Sequence, residues 1–446
     1  MVGYRSAIIT LLLLHAQQAA SYYSNVTLTS NNGDLSVVLY LPQGLKKDEV
    51  AYYSSTRFDH GSMIGSITRR TRDAETGKSH VHELYGSGQW RIPHNPWWTE
   101  SGIGLASEFG VGDDGSFCNY RCGWYQAQDV TNGVLGYREA RNGESFLKIG
   151  VGELIKGSCT TCDSSDDYKF NSPYAFAKPP VWTMETGPNP VASVTLEHEA
   201  KLDQNGYGLK KEITLVGDEL KVKNTLTNLG RVPFATAWYS HHIFTCDNKS
   251  VGKGYTADLN LTGTAGRYDE PGTWFWSTPL QAYAEVTASP QTVEVKMERT
   301  LEPEVKIKAE FVRDDTSNGD FTLKGCGTQI KADIPDINTE GGVTMYAYNL
   351  YIESGTFSPE TQVYMHLWPG ESVSWTQRLV FSDDVQPAST RPVASYKLKT
   401  IAQAPIDLEH PTLGFLMYVL LGSFFALFAH RTWQRSQSEY SSIPDL

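Results

Sequence analysis

Between residues 22 and 405 no stretch places apolar residues at the three-and-four spacing of an amphipathic helix of ordinary length. Apolar and polar residues alternate there instead. Val26 and Leu28, then Leu35, Val37 and Leu39, flank a turn signal at Asn32-Gly33. The alternation returns at 191–200, 207–216, 219–228, 291–299, 305–312, 344–354 and 372–381. Turn signals stand at Asn205-Gly206, Gly217-Asp218 and Leu229-Gly230. Successive side chains of a strand point to opposite faces, so each segment can bury one face against a second layer. The pattern predicts an all-β domain of many antiparallel strands over residues 22–384, with no linker to divide it.

Two segments read as insertions: residues 79–135, irregular and rich in Trp, Gly, Pro and His, and residues 157–173. One run is aromatic and strand-like, Ala235-Thr236-Ala237-Trp238-Tyr239-Ser240-His241-His242-Ile243-Phe244. In a strand Ala235, Ala237, Tyr239 and His241 share a face, where the two alanines leave room beside an aromatic ring and an imidazole. His242 points the other way and reads as a packing residue.

The ends bound the topology. Ile8–Leu14 is a short apolar run behind Arg5, followed by Ala19-Ala20-Ser21, which predicts a signal peptide over 1–21. Thr412–Ala429 carries no charge and is followed by Arg431 and Arg435, which predicts a transmembrane helix with a cytoplasmic tail, 430–446. Residues 385–411, with four prolines, read as a stalk. The expectation is a single-pass type I membrane glycoprotein of the secretory pathway or cell surface. Sequons at Asn25, Asn248 and Asn260 agree with a lumenal or extracellular ectodomain. A net charge of −12 argues against a nucleic-acid partner.

Six cysteines in that ectodomain suit an oxidising compartment. Proximity pairs Cys118 with Cys122 and Cys159 with Cys162, leaving Cys246 with Cys326, one of about fifteen connectivities. A zinc ribbon is disfavoured, because the close pairs lack nearby histidines.

The order of segments carries a resemblance. Tyr52-Tyr53-x-x-Thr56-Arg57-Phe58-Asp59 comes first, then Phe146-Leu147-Lys148-Ile149-Gly150-Val151-Gly152. An Asn-Thr-Leu-Thr-Asn-Leu-Gly turn, the histidine strand, Ile352-Glu353-Ser354 and Leu367-Trp368-Pro369-Gly370-Glu371-Ser372 follow. Over roughly residues 35–382 this resembles the galactose mutarotase (aldose 1-epimerase) superfamily, most of all its uncharacterised aldose-epimerase-like branch. The resemblance implies a β-supersandwich that needs no cofactor or metal. It implies a carbohydrate partner, a free sugar or glycan end, whose anomers are interconverted, with His241 as general acid and Glu353 as general base.

Such a pair is what the reaction asks for. Opening a pyranose hemiacetal takes a proton from the anomeric hydroxyl while giving one to the ring oxygen, each transfer contributing ~10²–10⁴-fold. Arg57, His82, Trp90 and Tyr239 are the candidate sugar-binding residues. Arg57 reads equally as half of an ion pair with Asp59, His82 as a surface residue, and Trp90 as packing beneath an insertion. A non-catalytic receptor or lectin-like module, and a polysaccharide lyase, remain alternatives, since fold alone does not separate them.

Overall fold

The computed structural model describes residues 24–43, 51–53, 55–72, 76–86, 103–110, 134–159, 162, 168, 172–188, 192–261, 268–269, 278–289, 292–311, 318–384 and 396–397. The chain divides into two units, 1–397 and 398–446, and every described residue belongs to the first. The expected signal peptide, the transmembrane segment 412–429, the tail, Trp90 and the Cys118/Cys122 pair lie outside the described residues. Among the described residues no helix is long and apolar enough to cross a membrane.

Two large antiparallel sheets, one of ten strands and one of eleven, make up most of the domain, with a four-stranded sheet beside them. The middle of the ten-stranded sheet runs Met63–Arg72, Leu105–Phe109, Phe234–His242, Thr356–Leu367, Thr344–Glu353, Ile307–Phe311. The middle of the eleven-stranded sheet runs Ser193–Leu202, Asn205–Val216, Glu219–Asn228, Ser372–Asp383, Thr328–Asp333, Phe321–Gly325. The all-β expectation holds: every alternating segment named above forms a strand, and the described residues contain no α-helix.

The sheets stack through aromatic side chains. Trp375 meets Trp238 at 5.4 Å and Phe109 at 6.1 Å between ring centroids, both edge-on. Such aromatic pairs contribute about 0.5–1.5 kcal/mol beyond their burial. The four-stranded sheet has its own core of Tyr137, Phe146, Leu154, Tyr168 and Tyr174.

Local differences from the sequence pattern have physical causes. Residues 79–135 are not wholly irregular: Ser79–Tyr85 and Leu105–Phe109 are strands. Leu105–Phe109 shows no alternation because all five residues are buried. The hairpin expected at Asn205-Gly206 turns two residues earlier, at Asp203-Gln204, with Asp203 at φ 53°. Gly206 serves close packing, since a Cβ there would lie 3.0 Å from Lys201 and 3.2 Å from the Leu229 backbone. The stalk contains a short strand, Tyr396–Lys397, paired with Thr287 and Ala288. Cys159–Cys162 and Cys246–Cys326 form two of the three expected disulfides, with Cα separations of 4.9 and 5.7 Å.

The segment that carries Arg57 is pinned from several sides. Asp59 N donates to Ser107 O, His60 N to Gly150 O, and Phe58 N to the Tyr53 hydroxyl. The expected Arg57–Asp59 ion pair is not made. Asp59 turns instead to Lys211 of the eleven-stranded sheet, 2.5 Å away, with both side chains fully buried. Gly150 is required beside it, since its φ is +76° and a Cβ would stand 2.5 Å from the Asp59 carboxylate.

Removing one member of such a pair leaves an uncompensated buried charge. Asp59→Ala is expected to destabilise by about 3–5 kcal/mol, whereas Asp59→Leu with Lys211→Met should recover most of that loss. Urea unfolding of the two variants checks this, and equal losses would sink the pairing.

Candidate functional site

Cross-strand partners share a face, so register alone assembles the site. His241 pairs with Ala106, and Tyr239 with Glu108. On the other side of the histidine strand Trp238 pairs with Val363, and Phe244 bridges Phe357 at the same register, which sets His241 opposite Glu360. Glu360 in turn pairs with Asn349, and Ser358 with Tyr351. One sheet face therefore carries Glu108, Tyr239, His241, Ser358, Glu360, Asn349, Tyr351 and Glu353.

His241 Nδ1 lies 2.7 Å from Glu360 Oε1 and 2.9 Å from Ser358 Oγ. Ser358 Oγ accepts the His242 N–H at 2.9 Å and donates to Glu360 Oε1 at 3.3 Å. A carboxylate only accepts, so the Nδ1 proton of His241 points at Glu360. Phe58 stacks on the imidazole at 6.1 Å, and the tilted Tyr351 ring stands 5.6 Å from it.

Glu353 keeps different company. The Tyr351 hydroxyl donates to it, and Lys306 Nζ lies 3.1 Å from Oε1. It pairs with Thr356, four positions along that strand from Glu360. That places it two strand spacings across and ~13 Å along the sheet from His241. The two expected partners share a face, joined through Tyr351, but the carboxylate in contact with His241 is Glu360.

Arg57 and Tyr239 do come together. Arg57 Nε donates to Glu108 Oε2 at 3.1 Å, and its Nη2 to the Tyr239 hydroxyl at 3.2 Å. That hydroxyl donates to Glu108 Oε2 at 2.8 Å. The guanidinium also covers the Phe58 ring, 4.7 Å from its centroid. Lys148 Nζ approaches Glu108 Oε1 at 3.5 Å, and burial pulls its amine down to about 8 against the pull of Glu108. Arg57 remains 16% exposed and Tyr351 is half-buried, whereas His241, Tyr239 and Glu360 are buried.

His82 is placed elsewhere. Its Nδ1 pairs with Asp247 Oδ2 at 3.0 Å, beside the Cys246–Cys326 disulfide. Asn25 and Asn248 are exposed and Asn260 half-exposed. Glu108 and Glu360 were the residues the sequence did not yield. Glu108 sits in a strand without alternation, and Glu360 follows Pro359, which argues against a strand interior. The signal that would find Glu360 is its position opposite His241, which requires the pairing.

The other face of the histidine strand is packing. His242 bonds the Tyr85 hydroxyl and the Gln377 side chain, each at 3.1 Å, between the two sheets. A small cavity there, lined by Trp238, Ser240, His242, Phe321 and Gln377, has room for about one water molecule, far less than a sugar.

No known family pattern matches the chain, and no curated protein matches its sequence. Several solved structures are similar. An aldose epimerase homologue from C. elegans is 10% identical, covering 81% of this chain and 99% of its own, at a TM-score of 0.42. A galactose mutarotase-like protein from Lactobacillus casei is 9% identical, covering 80% and 100%, at 0.39. A galactose mutarotase-like protein from Clostridium acetobutylicum is 9% identical, covering 81% and 99%, at 0.34.

Burial lowers His242 to about 3 and His60, bonded to Ser55 O, to about 4. Below pH ~6.5 the unfolded chain binds protons on both that the folded chain refuses, so stability falls as pH falls. The two histidines together should cost about 3–4 kcal/mol between pH 7 and pH 5. Urea unfolding at both pH values measures it, and His242→Gln should remove about half of the difference.

Proposed function

We propose that the chain is a carbohydrate-binding protein that interconverts sugar anomers at the face holding His241 and Glu360. The observation that carries this reading is the 2.7 Å contact between the two, on a face where Arg57, Tyr239 and Tyr351 converge. Glu360 is the base for the anomeric hydroxyl, and His241, as an imidazolium whose Nδ1–H stays on Glu360, gives its Nε2 proton to the ring oxygen. After rotation about the C1–C2 bond the transfers run backward and close the other anomer, so both groups return to their starting states. Neither a metal nor a cofactor enters these steps. Arg57 and Tyr351 stand where sugar hydroxyls can meet donors, and the half-buried Tyr351 ring offers an apolar face to a pyranose.

Glu353 is replaced by Glu360 in this reading. Its carboxylate accepts from Tyr351 and pairs with Lys306, so it holds the Tyr351 ring beside His241. Anomer exchange followed by NMR over a panel of free sugars should show wild-type activity. Glu360→Gln and His241→Asn should each lose ~10²–10⁴-fold, the range of a single acid or base. Glu353→Gln should retain most of the activity. Equal loss in Glu353→Gln and Glu360→Gln would return Glu353 to the base's role. A wild type that binds glycans without exchange would make the protein a receptor.

The type I topology is part of the same proposal: residues 22–384 lumenal or extracellular, anchored by 412–429. The exposed Asn25 and Asn248 suit glycan acceptors on that side. In sealed microsomes, protease should remove only the tail, and an N-glycosidase should shift the protected fragment. A fully digested, unshifted chain would end the topology.

A further inference from the structure

The Cys246–Cys326 disulfide joins two tight turns, one following the histidine strand of the ten-stranded sheet and one from the eleven-stranded sheet. Cys246 bridges Lys249, with Asp247 and Asn248 at φ 51° and 60°. Gly325 pairs with Thr328, with Cys326 and Gly327 at φ 54° and 66°. Both are two-residue loops with positive φ at both central positions, the type I′ geometry. The turns present Asp247 beside one sulfur and carry the other sulfur themselves.

His82, from the adjacent strand Ser79–Tyr85, completes the group. Its Nδ1 is 3.0 Å from Asp247 Oδ2, and the other Asp247 oxygen accepts the Glu83 N–H at 3.0 Å, which fixes the carboxylate. One ligand atom each from His82, Asp247 and Cys326 lies within 4.8 Å of the others. The side chains of His82 and Asp247 are 22% and 33% exposed, so an ion can reach them. This group lies apart from the candidate sugar site and shares no residue with it.

We propose that His82, Asp247, Cys246 and Cys326 form a redox-gated site for a divalent transition metal of the zinc class. With the disulfide closed, the sulfurs are spent on each other and only an imidazole and a carboxylate remain. A dithiol reductant opens it: the Cys246–Cys326 S–S bond breaks, two thiols form, and the dithiol leaves as its own disulfide. Metal binding then displaces the two thiol protons. The resulting set of two thiolates, one imidazole and one carboxylate is a four-ligand set of the types zinc prefers. Bonds of ~2.0–2.3 Å in a tetrahedron put ligands ~3.3–3.8 Å apart, so the three groups already within 4.8 Å need to close by about 1 Å. The turns supply that movement without disturbing the strands they cap.

Cobalt(II) binding to the full chain tests this, because thiolate-to-cobalt charge transfer and tetrahedral d–d bands report the ligands themselves. Cys118, Cys122, Cys159 and Cys162 are replaced by serine, so that no other thiol competes. The expected result is one equivalent of cobalt bound after reduction with a phosphine, and none before. His82→Ala and Asp247→Asn should each weaken binding by at least roughly tenfold, the scale on which even outer-shell partners act. The near-isosteric Asp247→Asn keeps the acceptor for Glu83 N–H, and circular dichroism confirms that each variant is folded. Binding unchanged in both variants, uptake without reduction, or no uptake by the reduced chain would each overturn the site.

Discussion

Burial of the strand Phe234–His242 on both faces is the constraint on which the rest of the structure depends. All nine of its residues are buried, in the middle of a ten-stranded sheet. One face locks the two sheets together through Trp238 against Trp375 and through His242 between Tyr85 and Gln377. The opposite face presents Tyr239 and His241 to the site. A one-residue slip of register would exchange these faces, sending His241 into the aromatic core and Trp238 toward the solvent-side cluster. Core packing therefore fixes the orientation of His241 toward Glu360.

The charges around that strand follow from the same burial. Glu108 is fully buried, yet it faces Arg57, Tyr239 and Lys148 together. A lone buried carboxylate would be costly, and the two cations and the phenol offset that cost. The outcome is a guanidinium held by its Nε and Nη2 on the face that carries His241. Asp59, two residues on, is spent on Lys211 of the other sheet, which fastens the Arg57 segment to both layers. Arg57 thus owes its position to charges the site itself does not use.

How much of this was legible in the sequence follows from where period two is visible. Strands with one wet face, such as Ser193–Leu202 or Ser372–Asp383, alternate and were read correctly. Strands wet on neither face do not alternate, and Leu105–Phe109 and Thr356–Leu367 were missed with them. Those two flank the histidine strand and carry Glu108 and Glu360. The site residues hardest to read are therefore the ones nearest His241, because a central strand buried on both faces hides its own periodicity. His241 is singled out by the motif resemblance rather than by pattern, and Arg57 only as the arginine nearest to what the resemblance asks for. Glu353 comes from the family resemblance, and only strand pairing shows Glu360 in contact with His241 instead.

The adjacent histidines make the general point about residue identity. His241 and His242 differ by one position, and a strand sends them to opposite faces. His242 meets a hydroxyl, an amide and an aromatic ring, and burial there holds it neutral down to about pH 3. His241 meets a carboxylate at 2.7 Å and a serine hydroxyl, groups that hold its Nδ1 proton and orient the ring. A proton donor for a sugar ring oxygen needs a polarised, oriented imidazole, and a core residue needs one that stays uncharged. The sheet supplies both environments within a single peptide unit. That separation of faces is why one histidine of the pair can carry chemistry while the other carries the fold.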